Sequence, residues 1–140
     1  MTVILNPYLH FNEGKAEEAL NFYKDAFGGE LEISRYGDNP SMPAGEESIK
    51  DLVMHGVVKT DDLQLMASDT GPMGDVVVGS NVSISLSGDD EAKLTKYFEA
   101  LSVGGTVTKP LSKESWGDTF GMLDDKFGIS WLINISAPAA

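Results

Sequence analysis

The sequence predicts an α+β fold made of two βαβββ modules, and three observations carry that prediction. The first is a pair of apolar stripes with helical periodicity: Ala16, Ala19, Leu20, Tyr23 and Phe27 in one half, Leu94, Tyr97, Phe98 and Leu101 in the other. The second is the set of short runs around each stripe in which apolar and polar residues alternate with period two, as strands with two unlike faces do. The third is an internal repeat. Phe22-Tyr23…Ala26-Phe27-Gly28-Gly29 matches Tyr97-Phe98…Ala100-Leu101…Gly104-Gly105, and doubled acids, Asp61-Asp62 and Asp124-Asp125, stand in corresponding hairpin turns. A chain of 140 residues is read as one domain, with module one at 1–69, a connector at 70–80 and module two at 81–136.

In chain order, Leu5–Phe11 reads as a strand with Leu5, Leu9 and Phe11 on one face and Asn6, Tyr8 and His10 on the other. Asn12 is placed to cap a helix running from about Glu13 to Phe27, which Gly28-Gly29 stops. Glu30–Tyr36 is a short strand with Leu31 and Ile33 inward, and Gly37–Ser48, with its prolines and glycines, is a loop. Asp51–Lys59 and Leu63–Ser68 form a hairpin. After the connector the plan repeats, with a strand at Asn81–Ser87 whose inward residues are Val82, Ile84 and Leu86. A helix starts at Asp89 or Asp90, Thr106–Lys109 is a strand and Pro110–Ser115 a loop. The last hairpin joins Thr119–Leu123 to Ile129–Ile135, with Gly128 at the positive-φ position that closes its turn.

Composition excludes several classes. Hydrophobic content of 41% and charged content of 23% are ordinary for a globular domain. No apolar run is long enough to span a bilayer and Met1-Thr2-Val3 has no signal-peptide pattern, so a cytoplasmic location is expected. With no cysteine there is no disulfide, thiolate ligand or thiol nucleophile. A net charge of −12 argues against nucleic acid and against an anionic membrane as partner. Gly-x-Ser-x-Gly, HExxH and phosphate-loop patterns do not occur. The acid pairs Glu17-Glu18, Glu46-Glu47 and Asp89-Asp90 read as solvated surface charge.

Each helix is expected to cover one face of its sheet, and the uncovered faces of two such half-sheets to line a cup. Tyr8, Met66, Trp116, Phe120 and Leu132 supply apolar walls there, and Asn6, His10, Asn81, Ser83, Ser85 and Asn134 supply orienting groups. Apolar lining with a few placed hydrogen-bonding groups is what ligand pockets require. His10 is the best catalytic candidate, against the plainer reading of a hydrogen-bonded histidine at a strand end. His55 lies on a strand whose facing the pattern leaves open, and structural packing is the favoured reading for it. Trp116 reads as an aromatic wall or as core. Asp118 either touches a ligand or pairs with Arg35, Lys109 or Lys113.

The runs NPYLHF, EEALNFYKDAFGGEL, VMHG, LMASD and WGDTFGMLDDKFGISW resemble the PhnB-like branch of the vicinal oxygen chelate superfamily, which includes glyoxalases, bleomycin-resistance proteins and extradiol dioxygenases. The resemblance spans essentially the whole chain. It implies the glyoxalase/bleomycin-resistance-type cup, a small-molecule ligand and a homodimer, which would also cover exposed sheet edges. The branch is often labelled demethylubiquinone methyltransferase-like, yet no Gly-rich nucleotide-binding turn follows a strand here, and two modules leave no room for a Rossmann unit.

Metal-dependent members of the superfamily hold their ion with His and Glu from the first and last strands of each module. Carried over by strand and face, those positions fall on Asn6, Met66, Asn81 and Leu132, none of them His or Glu. No metal and no cofactor are therefore expected. The sequence reads as a small-molecule binder without the usual metal site. The alternative is a metal- or His-dependent lyase, isomerase or dioxygenase of the same superfamily. A third reading is a cup filled by its own side chains that serves as an assembly surface.

Overall fold

Two four-stranded sheets, each with one helix on one face, make up the computed structural model, which describes residues 3–12, 14–38, 49–70 and 76–137. The chain divides into two units, Met1–Val77 and Val78–Ala140. The predicted α+β class and its two βαβββ modules are what the structure has. No helix among the described residues is long and apolar enough to cross a membrane.

The first unit runs β1 (Tyr8–Phe11), α1 (Lys15–Phe27), β2 (Glu30–Arg35), a single 3-10 turn at Tyr36–Asp38, β3 (Val53–Lys59) and β4 (Gln64–Asp69). Its sheet order is β1-β4-β3-β2, with β1 parallel to β4 and the other neighbours antiparallel. The predicted stripe is the buried side of α1, with Ala16, Ala19, Leu20, Tyr23 and Phe27 packed over Val58, Leu65 and Ala67. Gly56 makes that packing possible, because a Cβ there would collide with the Leu20 side chain. Glu17 is more than solvated charge. Its carboxylate accepts two hydrogen bonds from the Arg35 guanidinium, at 3.1 and 2.8 Å, tying α1 to the end of β2.

The start of α1 departs from the expected local cap. The Asn12 side chain is turned to the returning chain, where its Oδ1 accepts from the Val76 N–H at 2.9 Å. Gly14 precedes the helix in the left-handed region, at φ 75°, with no side-chain cap of its own. The cap comes instead from β4. The Asp69 carboxylate, 1% exposed, accepts from the Ala16 N–H at 3.1 Å and from the Val53 N–H at 2.9 Å. One buried anion therefore sits at the positive end of the helix and also holds the first residue of β3. Leu5, expected inward, lies ahead of β1 and is 99% exposed. Glu13, residues 39–48 of the predicted loop and residues 71–75 of the connector lie outside the described residues.

The second unit runs β5 (Ile84–Gly88), α2 (Glu91–Ser102), β6 (Thr106–Lys113), β7 (Thr119–Asp124) and β8 (Ser130–Ile135), in the order β5-β8-β7-β6. Asp90 caps α2, its carboxylate accepting from the Lys93 N–H at 3.1 Å. Leu94, Tyr97, Phe98 and Leu101 are buried as predicted, as are Trp131, Ile133 and Ile135. β5 starts three residues later than predicted, so Val82 is 74% exposed and Asn81 and Ser83 precede the strand. β6 continues through Pro110 to Lys113 where a loop was expected. It is an edge strand with register shifts at Val107/Lys109 and Lys109/Ser112, and an edge tolerates a proline that cannot donate.

Asp125 organises the last turn, where Gly128 has the expected positive φ of 86°. Its buried Oδ1 accepts from the N–H groups of Phe127 and Ile129, at 2.9 and 3.1 Å, and its Oδ2 from the Trp131 indole at 2.9 Å. Asp69→Ala should cost roughly 2–4 kcal/mol, since two backbone N–H groups would lose a buried acceptor. Asp125→Asn should also destabilise, because one carboxylate oxygen facing a donor becomes an amide N–H. Urea unfolding measures both, and midpoints equal to wild type would contradict these roles.

Candidate functional site

The helix decides which face of each sheet remains for a ligand. In the first unit α1 lies over Gly56, Val58, Leu65 and Ala67, so alternation sends their neighbours to the opposite face. Register aligns Tyr8 with Met66, Met66 with Val57, and His10 with Ser68. His55, paired with Ser34, shares this face. The facing that the sequence pattern left open is thus toward Tyr8 and His10.

These side chains form a connected cluster. The Tyr8 hydroxyl is 2.9 Å from Nδ1 of His55, and the two rings are tilted at 37° with centroids 5.6 Å apart. On its other flank the Tyr8 ring stacks on His10, at 5.2 Å and 27°. Nδ1 of His10 is 3.3 Å from the hydroxyl of Ser68, itself buried. Tyr8 is 39% exposed, and Met66, Val57 and His55 are half-buried.

In the second unit Phe98 of α2 sits where a Cβ on Gly121 would be 2.8 Å from its ring, so Phe120 and Met122 point the other way. Leu132, Asn134, Ser85 and Ser87 share that face by register. Trp116 is 61% exposed and meets Phe120 edge to face at 6.1 Å, so it belongs to this surface and not to the core. Lys109 lies over the Phe120 ring at 5.7 Å and pairs with Glu114. Asp118 makes none of the ion pairs considered for it. Its Oδ2 accepts from the Asn134 amide at 3.0 Å and its Oδ1 from the Ala137 N–H at 2.9 Å. Those bonds, the Asn134 amide first, hold its carboxyl below the usual carboxylate range.

The two registers define equivalent positions. Gly56 pairs with Ala67, and Gly121 with Ile133, so Met66 corresponds to Leu132, Tyr8 to Ser85, His10 to Ser87 and His55 to Phe120. Counting back two residues, Asn6 corresponds to Ser83 and not to Asn81. The turn equivalents are Thr60 and Asp125, so the doubled acids are two residues out of step. Neither version of the carried-over donor set fits a divalent cation. Amide and hydroxyl oxygens are weak ligands alone, and Met66 and Leu132 bring no anionic or imidazole donor. Among the described residues no three His, Asp or Glu side chains are grouped to hold an ion.

Residues 4–134 match the family described as 3-demethylubiquinone-9 3-methyltransferase. The chain belongs to that family. Among solved structures it is similar to the protein PA1353 from Pseudomonas aeruginosa, with 37% identity, a TM-score of 0.82, and coverage of 98% of this chain and 100% of that one. It is also similar to a PhnB protein from Bacillus cereus, with 28% identity, a TM-score of 0.73, and coverage of 94% and 98%. A glyoxalase/bleomycin resistance protein/dioxygenase family enzyme from Burkholderia phytofirmans PsJN shares the fold, at 13% identity, a TM-score of 0.58, and coverage of 91% and 95%. The likeness to the PhnB-like branch is therefore borne out, and with the glyoxalase/bleomycin resistance protein/dioxygenase family enzyme the chain shares the fold.

Asn134→Ala should raise the titration midpoint of Asp118 toward the ordinary carboxylate range. Because the native value is lowered, the linked stability is present above the unfolded-state value and disappears as pH falls through the native one. Carboxyl-carbon NMR against pH measures the midpoint, and no change would show that the amide does not stabilise the anion.

Proposed function

We propose that this protein binds a small organic molecule on the helix-free face of its first module, without the superfamily's metal ion. One observation carries the reading: the half-exposed Tyr8 ring, flanked by two imidazoles and set beside Met66 and Val57. A flat apolar floor with a few fixed polar groups suits recognition of a ligand body plus one or two hydrogen bonds. The second module's face, with Phe120, Trp116, Met122 and Leu132, is more apolar, and its Asn134 and Asp118 satisfy each other. Taken by itself, that face offers apolar area more than polar recognition.

The family's description names a methyl transfer, and the frame here offers little to that chemistry. Each sheet has one parallel pair among four strands, unlike the parallel nucleotide-binding sheet whose glycine-rich turn holds a dinucleotide. A second reading, a His-dependent lyase or isomerase, is favoured by the 2.9 Å contact between the Tyr8 hydroxyl and His55, a distance over which a proton can move.

A fragment screen by protein-observed NMR tests the binding reading. Ligands should shift Tyr8, His10, His55 and Met66, survive treatment with a chelator, and lose about 2 kcal/mol of affinity in Tyr8→Ala. His10→Gln keeps hydrogen bonding and removes titration, so a binder tolerates it and a histidine acid/base enzyme loses turnover. Binding that vanishes on chelation and returns with stoichiometric transition metal would contradict the proposal.

A further inference from the structure

We infer that the ligand of the first module's face is a planar carboxylic acid bound as its anion; this rests on reading that face as a ligand site. Two independent features lead there. The first is the direction of the hydrogen bonds. Nδ1 of His55 is occupied by the Tyr8 hydroxyl at 2.9 Å, and Nδ1 of His10 by the Ser68 hydroxyl at 3.3 Å. With those hydroxyls donating, a neutral ring carries its proton on Nε2, and an imidazolium carries one there as well. In that tautomer, as in the imidazolium, each ring presents Nε2–H as a donor. Two donors flanking one aromatic ring call for a ligand rich in acceptors.

The second feature is where the acids are not. The chain has 22 Asp and Glu against 10 Lys and Arg. On the helix-free face, the described residues of β1, β4 and β3 are Tyr8, His10, Gln64, Met66, Ser68, His55, Val57 and Lys59, by their register. None is acidic, and the one full charge is the cation Lys59. The acids of this face, Glu30 and Glu32, stand on β2, at the sheet edge opposite β1. Asp69, at the end of β4, is committed to the N–H groups of Ala16 and Val53. Among the described residues of this face the nearest acid to the cluster is Glu32, which pairs with Val57 from β2, so an anion over Tyr8 meets the two donors before any repelling charge. The Tyr8 ring with Met66 and Val57 supplies the flat contact, which makes the ligand body planar.

Benzoate, benzamide and benzylamine are suitable probes, since they share a ring and differ in charge. Titrated into the wild-type protein and followed by the Tyr8, His10 and His55 resonances, benzoate should bind at least about tenfold tighter than benzamide, and benzylamine weakest. His55→Asn keeps an acceptor near the Tyr8 hydroxyl but lacks the outward donor, so it should bind benzoate no better than benzamide. His55→Gln places an amide N–H near the Nε2 position and should retain most of the preference, which separates a lost donor from a disturbed fold. Benzamide binding as tightly as benzoate at the same residues would overturn the inference and leave the binding reading standing. If no probe shifts these residues at millimolar concentration the inference fails, and if the fragment screen is silent there too, the binding reading fails with it.

Discussion

The rest of the molecule depends on a missing side chain in the third strand of each module. Gly56 and Gly121 let a bulky residue of the helix, Leu20 in one unit and Phe98 in the other, descend onto the sheet where any Cβ would meet it. That close approach buries Leu20 and Tyr23 in the first unit and Phe98 and Leu101 in the second. Burial of such side chains contributes about 1.5–3 kcal/mol each before conformational entropy is counted. It also fixes which face of each sheet is spent on the core. A second pair of glycines repeats the same economy of space at the start of the strand after the helix: Gly29 lies against the Lys59 carbonyl and Gly105 against the Asp124 carbonyl. Everything that looks away from the helices does so because these glycines bring the helices down on the other side.

On that shared frame the two modules have diverged in their uncovered faces. Tyr8, His10 and His55 have Ser85, Ser87 and Phe120 at the equivalent positions, while Met66 and Leu132 keep an apolar residue in both. One face therefore carries imidazoles linked to hydroxyls, and the other an aromatic pair with its polar groups paired among themselves. Structural carboxylates differ as well. Asp69 caps a helix from a strand in the first unit, whereas in the second Asp90 caps locally and Asp125 shapes the last turn.

Most of the frame was legible because it is written in periodicity. The helical stripes, the alternation Trp131, Ile133, Ile135 and the turn glycine at 128 are local signals, and each element lies where they put it. What escaped was non-local. Asn12 has the residue type of a helix cap, but the anion that does the capping comes from Asp69, 53 residues on from Ala16, and no local rule finds it. Pro110 reads as a loop signal until β6 is known to be an edge strand. The face of His55 was unreadable because His55-Gly56-Val57 does not alternate clearly, since the inward residue is a glycine whose contact is made by the helix. Tyr8 and His10 were legible as face residues, yet their link to His55 and Ser68 needed the strand order β1-β4-β3. Asn6 and Asn81, to which the resemblance carries the metal positions of the two opening strands, are two residues out of register with each other.

The most direct measurement is difference electron density after crystals of the protein are soaked with a library of planar organic fragments. Density is expected over Tyr8, Met66 and Val57, within hydrogen-bond reach of His10 and His55, and with no metal ion between protein and ligand. A transition-metal ion ligated through Asn6, Met66, Asn81 and Leu132, or a full set of fragments bound elsewhere with this face bare, would contradict the metal-free binding site proposed for the first module.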